Sequence, residues 1–469
     1  MKTLNVEYAI IGAGTSGLGA YSKISRQTDS LVMIQDGPYG TTCARVGCMP
    51  SKLLITAADH AHDLSHSDFF GVPASGRVDG RRVLERLRRE RDERFVANNL
   101  RYVEKIPAHH KLEGRARFVA PKRLMVDDAV EVRAEKVIIA CGSRPAISEV
   151  FTPVMSRVLT SDTVFELEDL PESVAVIGMG VIALELGQAL HRLGVRTTLY
   201  GRSGRINALT HPAMQQQALD ALSAELEIFP SGRVVSTRED AQGAWIEFEQ
   251  PDGQRVSRVY ERVLVATGRT SNLDRLGLEQ AGLETGQPEQ GQIDSRTMRC
   301  ANLPIFIAGD ATDELPVWHE AYDEGRIAAH NALNYPDPTP AARRPPLTVI
   351  FTDPQIAVIG QSYRHLGERE VVIGELPFSS PRHVVWNKVA GRMQVYLDAH
   401  SEVILGAELV GHQAEHLAHL LALAMTHGMT AEQVLEMPVY HPSAEELLRD
   451  VLMDARKKCA HQQAERAMC

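Results

Sequence analysis

Two segments of the chain share one design, a short apolar strand followed by a glycine-rich turn and a helix, and this repeat constrains the fold most. The first is EYAIIGAGTSGLGAYSKI at residues 7–24, and the second is SVAVIGMGVIALELGQALHRLG at residues 173–194. Both strands are apolar throughout, which is typical of strands buried on both faces of a parallel sheet. The turns read G-x-G-x-x-G and G-x-G-x-x-A, with small residues at Gly12, Gly14 and Gly17 and at Gly178, Gly180 and Ala183.

Each small residue in such a turn has its own physical reason. The first glycine permits the tight turn, the second lets the backbone approach a pyrophosphate, and the third lets the helix pack on the sheet. The helix N-terminus then faces the phosphates. A single match is weak, but two matches between a clear strand and a clear helix are specific. The sequence therefore predicts two Rossmann-like domains, each binding a dinucleotide.

The remaining segments fit around these two units. Two similar strands that end at a glycine and an arginine, at 136–145 and 262–273, mark points where the chain passes between domains. A further apolar strand at 303–314 contains a Gly-Asp pair. A proline-rich linker at 334–347 precedes a last region without a glycine-rich turn, for which we predict an α+β domain. The predicted fold class is α/β with this additional C-terminal domain.

Composition and charge exclude several classes of function. The 469 residues carry a net charge of −10, and the arginine-rich segment at 80–95 interleaves its arginines with acids. We interpret that segment as a solvated helix rather than a nucleic-acid patch. No run of about 18 apolar residues is present to span a membrane, and the N-terminus has no signal-peptide layout. We therefore expect no nucleic-acid partner, no membrane association and, from the six scattered cysteines, a cytoplasmic location.

Two cysteines stand close together in TTCARVGCMPSK, where Cys43 and Cys48 form a C-x4-C pair. Such a pair in a reducing compartment is more often catalytic or metal-binding than a structural disulfide. A structural zinc site needs four ligands, usually from two short-spaced pairs. Cys141 and Cys300 are isolated, and the histidines of residues 60–66 form one polar helix face. We therefore expect no metal site, although the pair by itself does not decide between a structural and a reactive role.

Five motifs, in order along essentially the whole chain, resemble those of the flavin-dependent pyridine nucleotide-disulfide oxidoreductases. This family includes dihydrolipoyl dehydrogenase, glutathione reductase and mercuric reductase. The motifs are the first dinucleotide turn, C-x4-C-x-P-S-K, the second dinucleotide turn, the strand with Gly-Asp, and HPSAEE at residues 441–446. Together they are specific for the family and much less so for its substrate.

The resemblance implies a domain order, two cofactors and a homodimer. FAD would lie against the first domain and NAD or NADP against the second, while the last domain would form the dimer interface. The implied boundaries are an FAD-binding domain at 1–147, an NAD(P)-binding domain at 148–268, a central segment completing the FAD domain at 269–339, and the interface domain at 340–469.

The resemblance also assigns residues to the cofactors. The first glycine turn would hold the FAD pyrophosphate, and Asp310 would bond the ribityl chain. Lys52 would sit near the flavin N5 and pair with Glu185. The implied cofactor-binding positions are Gly12, Gly14, Gly17, Gln35, Thr42, Lys52, Gly114, Gly309, Asp310, Gly178, Gly180, Ala183, Glu185, Arg202 and Gly268.

The local sequence and the resemblance agree on a reactive cysteine pair. Pro50 suits the first turn of a helix, and a helix N-terminus favours negative charge, so it would stabilise a thiolate at Cys48. In the family's mechanism the Cys43–Cys48 disulfide is opened by the reduced flavin. Cys48 then becomes the thiolate that faces the flavin, and Cys43 exchanges with the disulfide substrate.

A histidine near the C-terminus supplies the proton chemistry in this family. Thiol–disulfide exchange near neutral pH needs a group that accepts and returns protons, and histidine is suited to it. His441 and Glu446 match the family's His-Pro-Thr-x-x-Glu motif, with Ser443 in place of the threonine. The resemblance implies that His441 acts from the opposite subunit and that Glu446 orients its ring.

Three places depart from the family's pattern. Thr41 stands at a common glycine, and Arg45 at a common asparagine, where it adds positive charge beside the thiols. Gln35 stands where an acid usually bonds the adenosine ribose, with Asp36 next to it as a replacement.

The third departure concerns nucleotide choice. NAD-using members carry an acid at the end of the second strand of the nucleotide domain. Here TTLYGRSGRI has Gly201 at that position, followed by Arg202 and Arg205. A missing acid with arginines nearby suits a 2′-phosphate, so the sequence favours NADP slightly over NAD.

The leading functional hypothesis is an enzyme of the dihydrolipoyl dehydrogenase type, which passes electrons between dihydrolipoamide, the cysteine pair, FAD and the nucleotide. The alternative is an NADPH-dependent reductase of a glutathione-type disulfide or of mercuric ion. Cys459 and Cys469 are ten residues apart, unlike the adjacent C-terminal cysteines of mercuric reductases, and we interpret them as incidental. A redox-sensing flavoprotein subunit is the non-enzymatic alternative, and it would not need His441 and Glu446.

Overall fold

The structure is a computed structural model that describes residues 2–206, 208–283, 293–379 and 381–468. Its first region runs to residue 145. The elements there are β1 (Lys2–Ile11), α1 (Thr15–Ile24), β2 (Leu31–Gln35), α2 (Thr42–Val46), α3 (Cys48–His66), α4 (Gly80–Glu90), α5 (Ala97–Glu104), β3 (Lys111–Glu113), β4 (Ala116–Ala120), β5 (Arg123–Val126), β6 (Val130–Ile139) and β7 (Ser143–Pro145).

The second region follows from residue 158 to residue 271. The elements there are β8 (Val158–Leu159), β9 (Ser173–Ile177), α6 (Val181–Arg192), β10 (Arg196–Tyr200), α7 (Pro212–Ser223), β11 (Glu227–Phe229), β12 (Arg233–Asp240), β13 (Gly243–Glu249), β14 (Arg255–Tyr260), β15 (Arg262–Val265) and β16 (Arg269–Ser271).

The rest of the chain returns to the first sheet and then builds a separate one. The returning elements are β17 (Ile293–Asp294), β18 (Arg299–Cys300), β19 (Ile305–Ile307) and α8 (Trp318–Leu333). The separate region contains β20 (Leu347–Ile350), β21 (Gln355–Gly360), β22 (Val371–Pro377), α9 (Pro381–Val385), β23 (Arg392–Asp398), β24 (Ile404–Gly411), α10 (Ala414–Thr426), α11 (Ala431–Leu435) and α12 (Glu445–Met468).

The first sheet has a parallel centre in the order β19-β6-β1-β2-β3. Alternate residues of β1 enter different cores, Ala9 and Ile11 on one face and Tyr8 and Ile10 on the other. Helices α1 and α8 pack together over the second of these faces. Residues 8–11 of the strand are buried and carry no charged side chain, because both faces of the sheet are covered there.

The second sheet repeats this arrangement in the order β11-β10-β9-β15-β8, with all neighbours parallel. The antiparallel layer β12-β13-β14 covers one face with Ile246, Phe248 and Tyr260. Helix α6 covers the other face with residues such as Leu184 and Leu186. The two glycine turns therefore stand at equivalent places in two parallel sheets.

The third sheet is antiparallel, in the order β20-β21-β24-β23-β22. Helices α10 and α12 pack on it around a core that includes Leu417, Leu421, Val451 and Leu452. The predicted fold class, with two Rossmann-like units and a C-terminal α+β unit, is confirmed. No helix among the described residues is long and apolar enough to cross a membrane.

The arginine-rich segment differs from the solvated helix that its sequence predicts. Helix α4 continues into a π-helical stretch, Arg91–Val96. Arg91 is buried there, and its guanidinium is compensated by ion pairs with both Asp92 and Glu166. One face of this segment is therefore part of the contact between the first and second regions rather than surface.

The second glycine turn shows why its first glycine is required. Gly178 has a φ of +129°, and a Cβ on it would lie 2.3 Å from the carbonyl oxygen of Ala266. Gly180, two residues later, has a negative φ, and a Cβ there would meet no atom of the described residues within 4 Å. The fold therefore requires glycine at position 178. At position 180 the fold tolerates a Cβ, and glycine is needed there only to leave space for a ligand.

We predict that Gly178→Ala destabilises the protein and Gly180→Ala does not. The first change adds backbone strain and a clash that together cost about 3 kcal/mol, whereas the second stays within about 0.5 kcal/mol. The stability of each variant is measured by its melting temperature without added nicotinamide nucleotide. Equal melting temperatures for the two variants would contradict this account of the turn.

Candidate active site

The two cysteines lie where the chain passes from α2 into α3. Cys43 is in the first turn of α2, and Cys48 is the first residue of α3. Both are free thiols, Cys43 half-buried and Cys48 exposed. Thr41 precedes α2 with a φ of 58°, and its Oγ1 accepts a hydrogen bond of 3.3 Å from the amide of Ala44. Left-handed backbone favours glycine, so this conformation explains why glycine is common at this position, and the threonine compensates by capping the helix.

The two thiols have very different proton affinities. The pKa of Cys48 is lowered to about 7, first by a hydrogen bond from the Cys43 thiol and further by the Lys52 ammonium. Desolvation of the sulfur by the protein atoms around it opposes both effects, although part of the residue remains exposed. The pKa of Cys43 is raised well above its usual value, because its thiol donates that hydrogen bond and is partly buried. The position of Cys48 at a helix N-terminus favours the thiolate as well. The reduced pair therefore carries its negative charge on Cys48.

The ion pair implied by the resemblance is present in the structure. Lys52 Nζ, one turn after Cys48 on α3, lies 2.6 Å from Oε2 of Glu185 on α6. Glu185 is buried, and its other oxygen accepts a hydrogen bond of 3.0 Å from the amide of Phe351. The same ammonium lies 4.5 Å from the centre of the Phe351 ring. Because Phe351 follows β20, the pair joins residues of all three sheet regions.

A second ionic contact ties the same helices together two turns further along. Arg192 follows Glu185 by seven residues on α6, and Asp59 follows Lys52 by seven on α3. The Arg192 guanidinium is buried and lies 2.9 Å from Asp59, 2.7 Å from Glu225 and 3.2 Å from Asp353. It therefore fixes how α6 lies against α3, and with it the position of the lysine near the thiols.

The turn expected to hold FAD fits a dinucleotide phosphate. Gly12 has a φ of +104°, and a Cβ there would lie 2.2 Å from the carbonyl oxygen of Ala140. The side chain of Gln35 points into the turn, where its Oε1 accepts a hydrogen bond of 2.6 Å from the amide of Ala13. The hydroxyl of Ser16, in the first turn of α1, is buried without a hydrogen-bond partner among the described residues. Such a hydroxyl beside a helix N-terminus suits a phosphate oxygen.

The Gly-Asp pair comes back to this turn after β19. Gly309 has a φ of +75°, and a Cβ on it would lie 2.9 Å from that of Ser16. Its amide donates to the buried carboxylate of Glu324 at 2.8 Å. Oδ2 of Asp310 accepts a hydrogen bond of 3.2 Å from the hydroxyl of Ser143. Distant parts of the chain thus meet at one end of α1, as expected for a single cofactor cradle.

The other positions assigned to FAD lie near the end of β2 and at the start of α2. Gly114 has a φ of +135°, and its amide donates a hydrogen bond of 2.9 Å to the carbonyl of Gln35. Thr42 is the first residue of α2. Asp36, the expected replacement for the ribose acid, is exposed and pairs with Arg115 at 2.8 Å. Gln35 rather than Asp36 therefore faces the glycine turn.

The second turn is built like the first. Ala183 is fully buried where α6 packs on the sheet, so no larger side chain fits there. Gly178 and Gly180 stand at the start of the helix as described above. Gly268, after β15, has a φ of +125°, and its carbonyl accepts a hydrogen bond from the amide of Ala146. These positions lie at the carboxyl ends of β9 and β15, the usual place for a nucleotide on such a sheet.

Gly201 cannot be replaced by an acid without moving the backbone. A Cβ on it would lie 2.3 Å from the carbonyl oxygen of Pro230 and 2.6 Å from Cγ of Met179. Arg202 and Arg205 follow it and are exposed. Local packing therefore leaves no room for an acid side chain at this position, and the cationic side chains that follow it are accessible.

His441 and Glu446 are brought together at the start of α12. Nδ1 of His441 lies 3.1 and 3.2 Å from the two carboxylate oxygens of Glu446. Glu446 is buried, while the histidine side chain is 75 % exposed. Within the described residues of one chain, the hydrogen bonds of His441 go to Glu446 and not to either cysteine.

The remaining cysteines are placed as unreactive groups where the structure describes them. Burial raises the pKa of both Cys141 and Cys300 to about 12. Cys459 is fully buried within α12, and burial raises the pKa of its thiol as well. Cys469 lies outside the described residues.

Four residues of this site could not be found from the sequence motifs. Phe351 and Arg192 act through contacts with residues more than a hundred positions away, and Glu324 holds Gly309 from the next helix. Ser16 lies inside the first motif at a position that the pattern leaves open, so only its burial distinguishes it.

Comparison with known families identifies the chain. The sequence model described as pyridine nucleotide-disulphide oxidoreductase matches residues 6–325, and the dimerisation domain of the same family matches residues 347–452. The chain belongs to this family. It is therefore an FAD-dependent oxidoreductase that uses a nicotinamide nucleotide, and the match to the dimerisation domain supports a homodimer.

Named relatives within the family differ in substrate. The chain is 30 % identical to a mercuric reductase of Staphylococcus aureus over 91 % of its own length and 78 % of the relative's. It is also 30 % identical to dihydrolipoyl dehydrogenase 3 of Pseudomonas aeruginosa over 95 % of its length and 97 % of the relative's. The flavoprotein disulfide reductase RclA of Escherichia coli has the same fold, with a TM-score of 0.79, 19 % identity, and coverage of 96 % of this chain and 99 % of RclA.

We predict that Lys52→Met raises the pKa of Cys48 from about 7 by about 1 unit, because a nearby cation favours the thiolate. The measurement is the pH dependence of iodoacetamide alkylation of the reduced oxidoreductase, with Cys48 located by mass spectrometry. Lys122→Met is the matched control, since Lys122 forms an exposed pair with Glu135. An unchanged midpoint in the Lys52 variant would show that the ammonium does not act on this thiol.

Proposed function

We propose that the chain is an oxidoreductase of the dihydrolipoyl dehydrogenase type, which transfers electrons between the dithiol of dihydrolipoamide and a nicotinamide nucleotide. The observation that carries this proposal is the unequal cysteine pair, in which Cys48 favours the thiolate and Cys43 keeps its proton. Similarity to dihydrolipoyl dehydrogenases over nearly the full length of both chains supports the choice of substrate.

The residues that would hold FAD are those of the first glycine turn, with Ser16, Gln35 and Asp310 around it. When bound there, FAD would supply the two-electron link between the nucleotide and the cysteine pair. The sulfur chemistry itself belongs to side chains of the protein.

In the dithiol-oxidising direction, a substrate thiolate attacks Sγ of Cys43 in the Cys43–Cys48 disulfide. The bond between the two cysteines breaks, and Cys48 leaves as a thiolate stabilised by the start of α3 and by Lys52. The second substrate thiol then attacks the substrate sulfur bound to Cys43 and displaces the Cys43 thiolate, which takes up a proton. The substrate has lost two electrons as a cyclic disulfide, and the cysteine pair has gained them.

Proton transfer in these steps falls to His441. Its Nδ1 faces the Glu446 carboxylate, so Nδ1 carries the hydrogen and Nε2 is left to accept a proton from the attacking thiol. The exposure of this side chain, together with the match to a dimerisation domain, supports a role at the cysteine pair of the partner subunit. The active site would then be complete only in the homodimer.

A second candidate, an NADPH-dependent disulfide reductase, is favoured by the surroundings of Gly201. No acid fits at that position, and Arg202 is exposed beside it. The similarity to mercuric reductases makes mercuric ion a further substrate to test for this candidate. The domain boundaries at 147, 268 and 339 and a cytoplasmic location stay predictions.

Steady-state assays with NAD(H) and NADP(H) test the proposal. We expect kcat/KM for dihydrolipoamide or lipoamide to exceed that for glutathione disulfide by at least about tenfold, the discrimination that 1.4 kcal/mol provides, and NADP(H) to serve at least as well as NAD(H). A preference for glutathione disulfide or for mercuric ion would favour the second candidate. Absence of turnover with all of these substrates would overturn both.

We predict that His441→Gln lowers turnover with dithiol or disulfide by about 10²- to 10⁴-fold, while NADPH still generates two alkylatable thiols. His365→Gln, an exposed histidine paired with Ser362, is the control and should leave turnover unchanged.

The shared site is tested by mixing subunits. His441→Gln and Cys43→Ser homodimers are both expected to be inactive, yet a dimer with one subunit of each restores one intact site if His441 acts across the interface. Random exchange of equal amounts should therefore recover about a quarter of the wild-type activity, since half of the dimers are mixed and each has one working site. Recovery of no activity would place His441 and the cysteines in the same subunit.

A further inference from the structure

One carboxylate and two imidazoles meet at a place that the redox chemistry does not use. Asp29 lies in the loop before β2, and His109 and His110 lie in the 3-10 turn Ala108–His110 before β3. One ligand-type atom from each of the three lies within 4.8 Å of the others. The cluster is at the amino ends of β2 and β3, whereas the glycine turn and Gln35 are at the carboxyl ends. It is therefore separated from the FAD cradle by the length of these strands.

Both imidazoles direct the same ring atom at one carboxylate. Nε2 of His110 lies 2.9 Å from Oδ1 of Asp29, and Nε2 of His109 lies 3.2 Å from each carboxylate oxygen. Nε2 of His110 is also 3.1 Å from the Asp29 carbonyl oxygen. Ligands about 2.0–2.1 Å from a tetrahedral zinc ion are themselves about 3.3 Å apart. The spacing of each nitrogen from the carboxylate is thus close to what a single ion requires, and the two nitrogens lie within 4.8 Å of each other.

His110 is held in a way that suits a metal ligand. Its side chain is 4 % exposed, and its Nδ1 lies 2.9 Å from the hydroxyl of the buried Tyr21 on α1. A hydrogen bond on the distal ring nitrogen is how proteins set the tautomer and direction of a ligating histidine. Nε2 of His110 is therefore directed at Asp29, and the side chains of Asp29 and His109 are exposed.

We propose that Asp29, His109 and His110 bind a divalent transition-metal ion of the Zn²⁺ class. Two imidazoles and a carboxylate are a donor set that zinc accepts, with water completing the coordination. Both Nε2 atoms release any proton they carry, and the ion takes the place of the hydrogen bonds to the carboxylate. The ion joins the loop before β2 to the turn before β3, so it stabilises this edge of the sheet rather than taking part in the sulfur chemistry.

The test uses the full-length, FAD-loaded protein with its active-site disulfide oxidised, so that Cys43 and Cys48 are not available as ligands. Zn²⁺ binding is measured by titration calorimetry, and the melting temperature with and without Zn²⁺ gives a second readout, because a ligand of the native state raises it. We expect one ion per subunit and a rise in melting temperature. Asp29→Asn and His109→Ala should each weaken binding at least about tenfold and remove the rise, whereas dithiol turnover stays unchanged.

The controls separate this site from other histidines and from the redox centre. His365→Ala is matched to His109→Ala, since both residues are exposed members of 3-10 turns, and it should bind Zn²⁺ like the wild type. His110 is not substituted, because a change at this buried side chain would destabilise the fold itself and obscure the effect on Zn²⁺ binding. Wild-type affinity in both Asp29→Asn and His109→Ala, or no stoichiometric binding by the wild type, would overturn the proposal whatever the enzyme's substrate proves to be.

Discussion

The packing of α3 against α6 is the contact on which the rest of the site depends. Two ionic ties cross it seven residues apart, Lys52 with Glu185 and Asp59 with Arg192. Glu185 and the Arg192 guanidinium are the buried members of these ties, and a buried charge is costly without a partner. Loss of Lys52 would leave Glu185 without its cation, whereas Arg192 keeps Glu225 and Asp353 when Asp59 is lost. Asp353 extends the second tie into the C-terminal region. The ionic groups that hold α3, the helix of Cys48 and Lys52, against α6 therefore also connect the three sheet regions.

The sulfur chemistry follows from where α3 begins. Because Cys48 is its first residue, the helix end, Lys52 and the Cys43 thiol all favour a thiolate on the same sulfur. Thr41, two residues before Cys43, has a positive φ, which is a strained conformation for a residue other than glycine. The strained residue and the sulfur that favours the thiolate are thus only seven positions apart in the chain.

Sequence patterns predicted the features that are formed by residues close together in the chain. The glycine turns, the start of α3 and the His441–Glu446 contact all involve residues that a helix or turn brings together by itself, and the structure contains each of these local features. The buried Arg91 was missed, since a regular alternation of charges does not reveal that Glu166 lies against one of them. The cluster of Asp29 with His109 and His110 was missed because its members are about eighty residues apart.

The sequence by itself determined the fold class and the family, because strand burial and glycine turns leave short-range signatures, and it predicted Cys43 and Cys48 as the reactive pair. Only the tertiary structure decided that the Ser16 hydroxyl has no hydrogen-bond partner among the described residues, that an acid at Gly201 would clash, and that Phe351 and Arg192 contact the helices that carry Lys52 and Glu185. These facts depend on which distant segments meet and how closely. Such contacts are set by packing in three dimensions, and no short pattern in a single sequence predicts them.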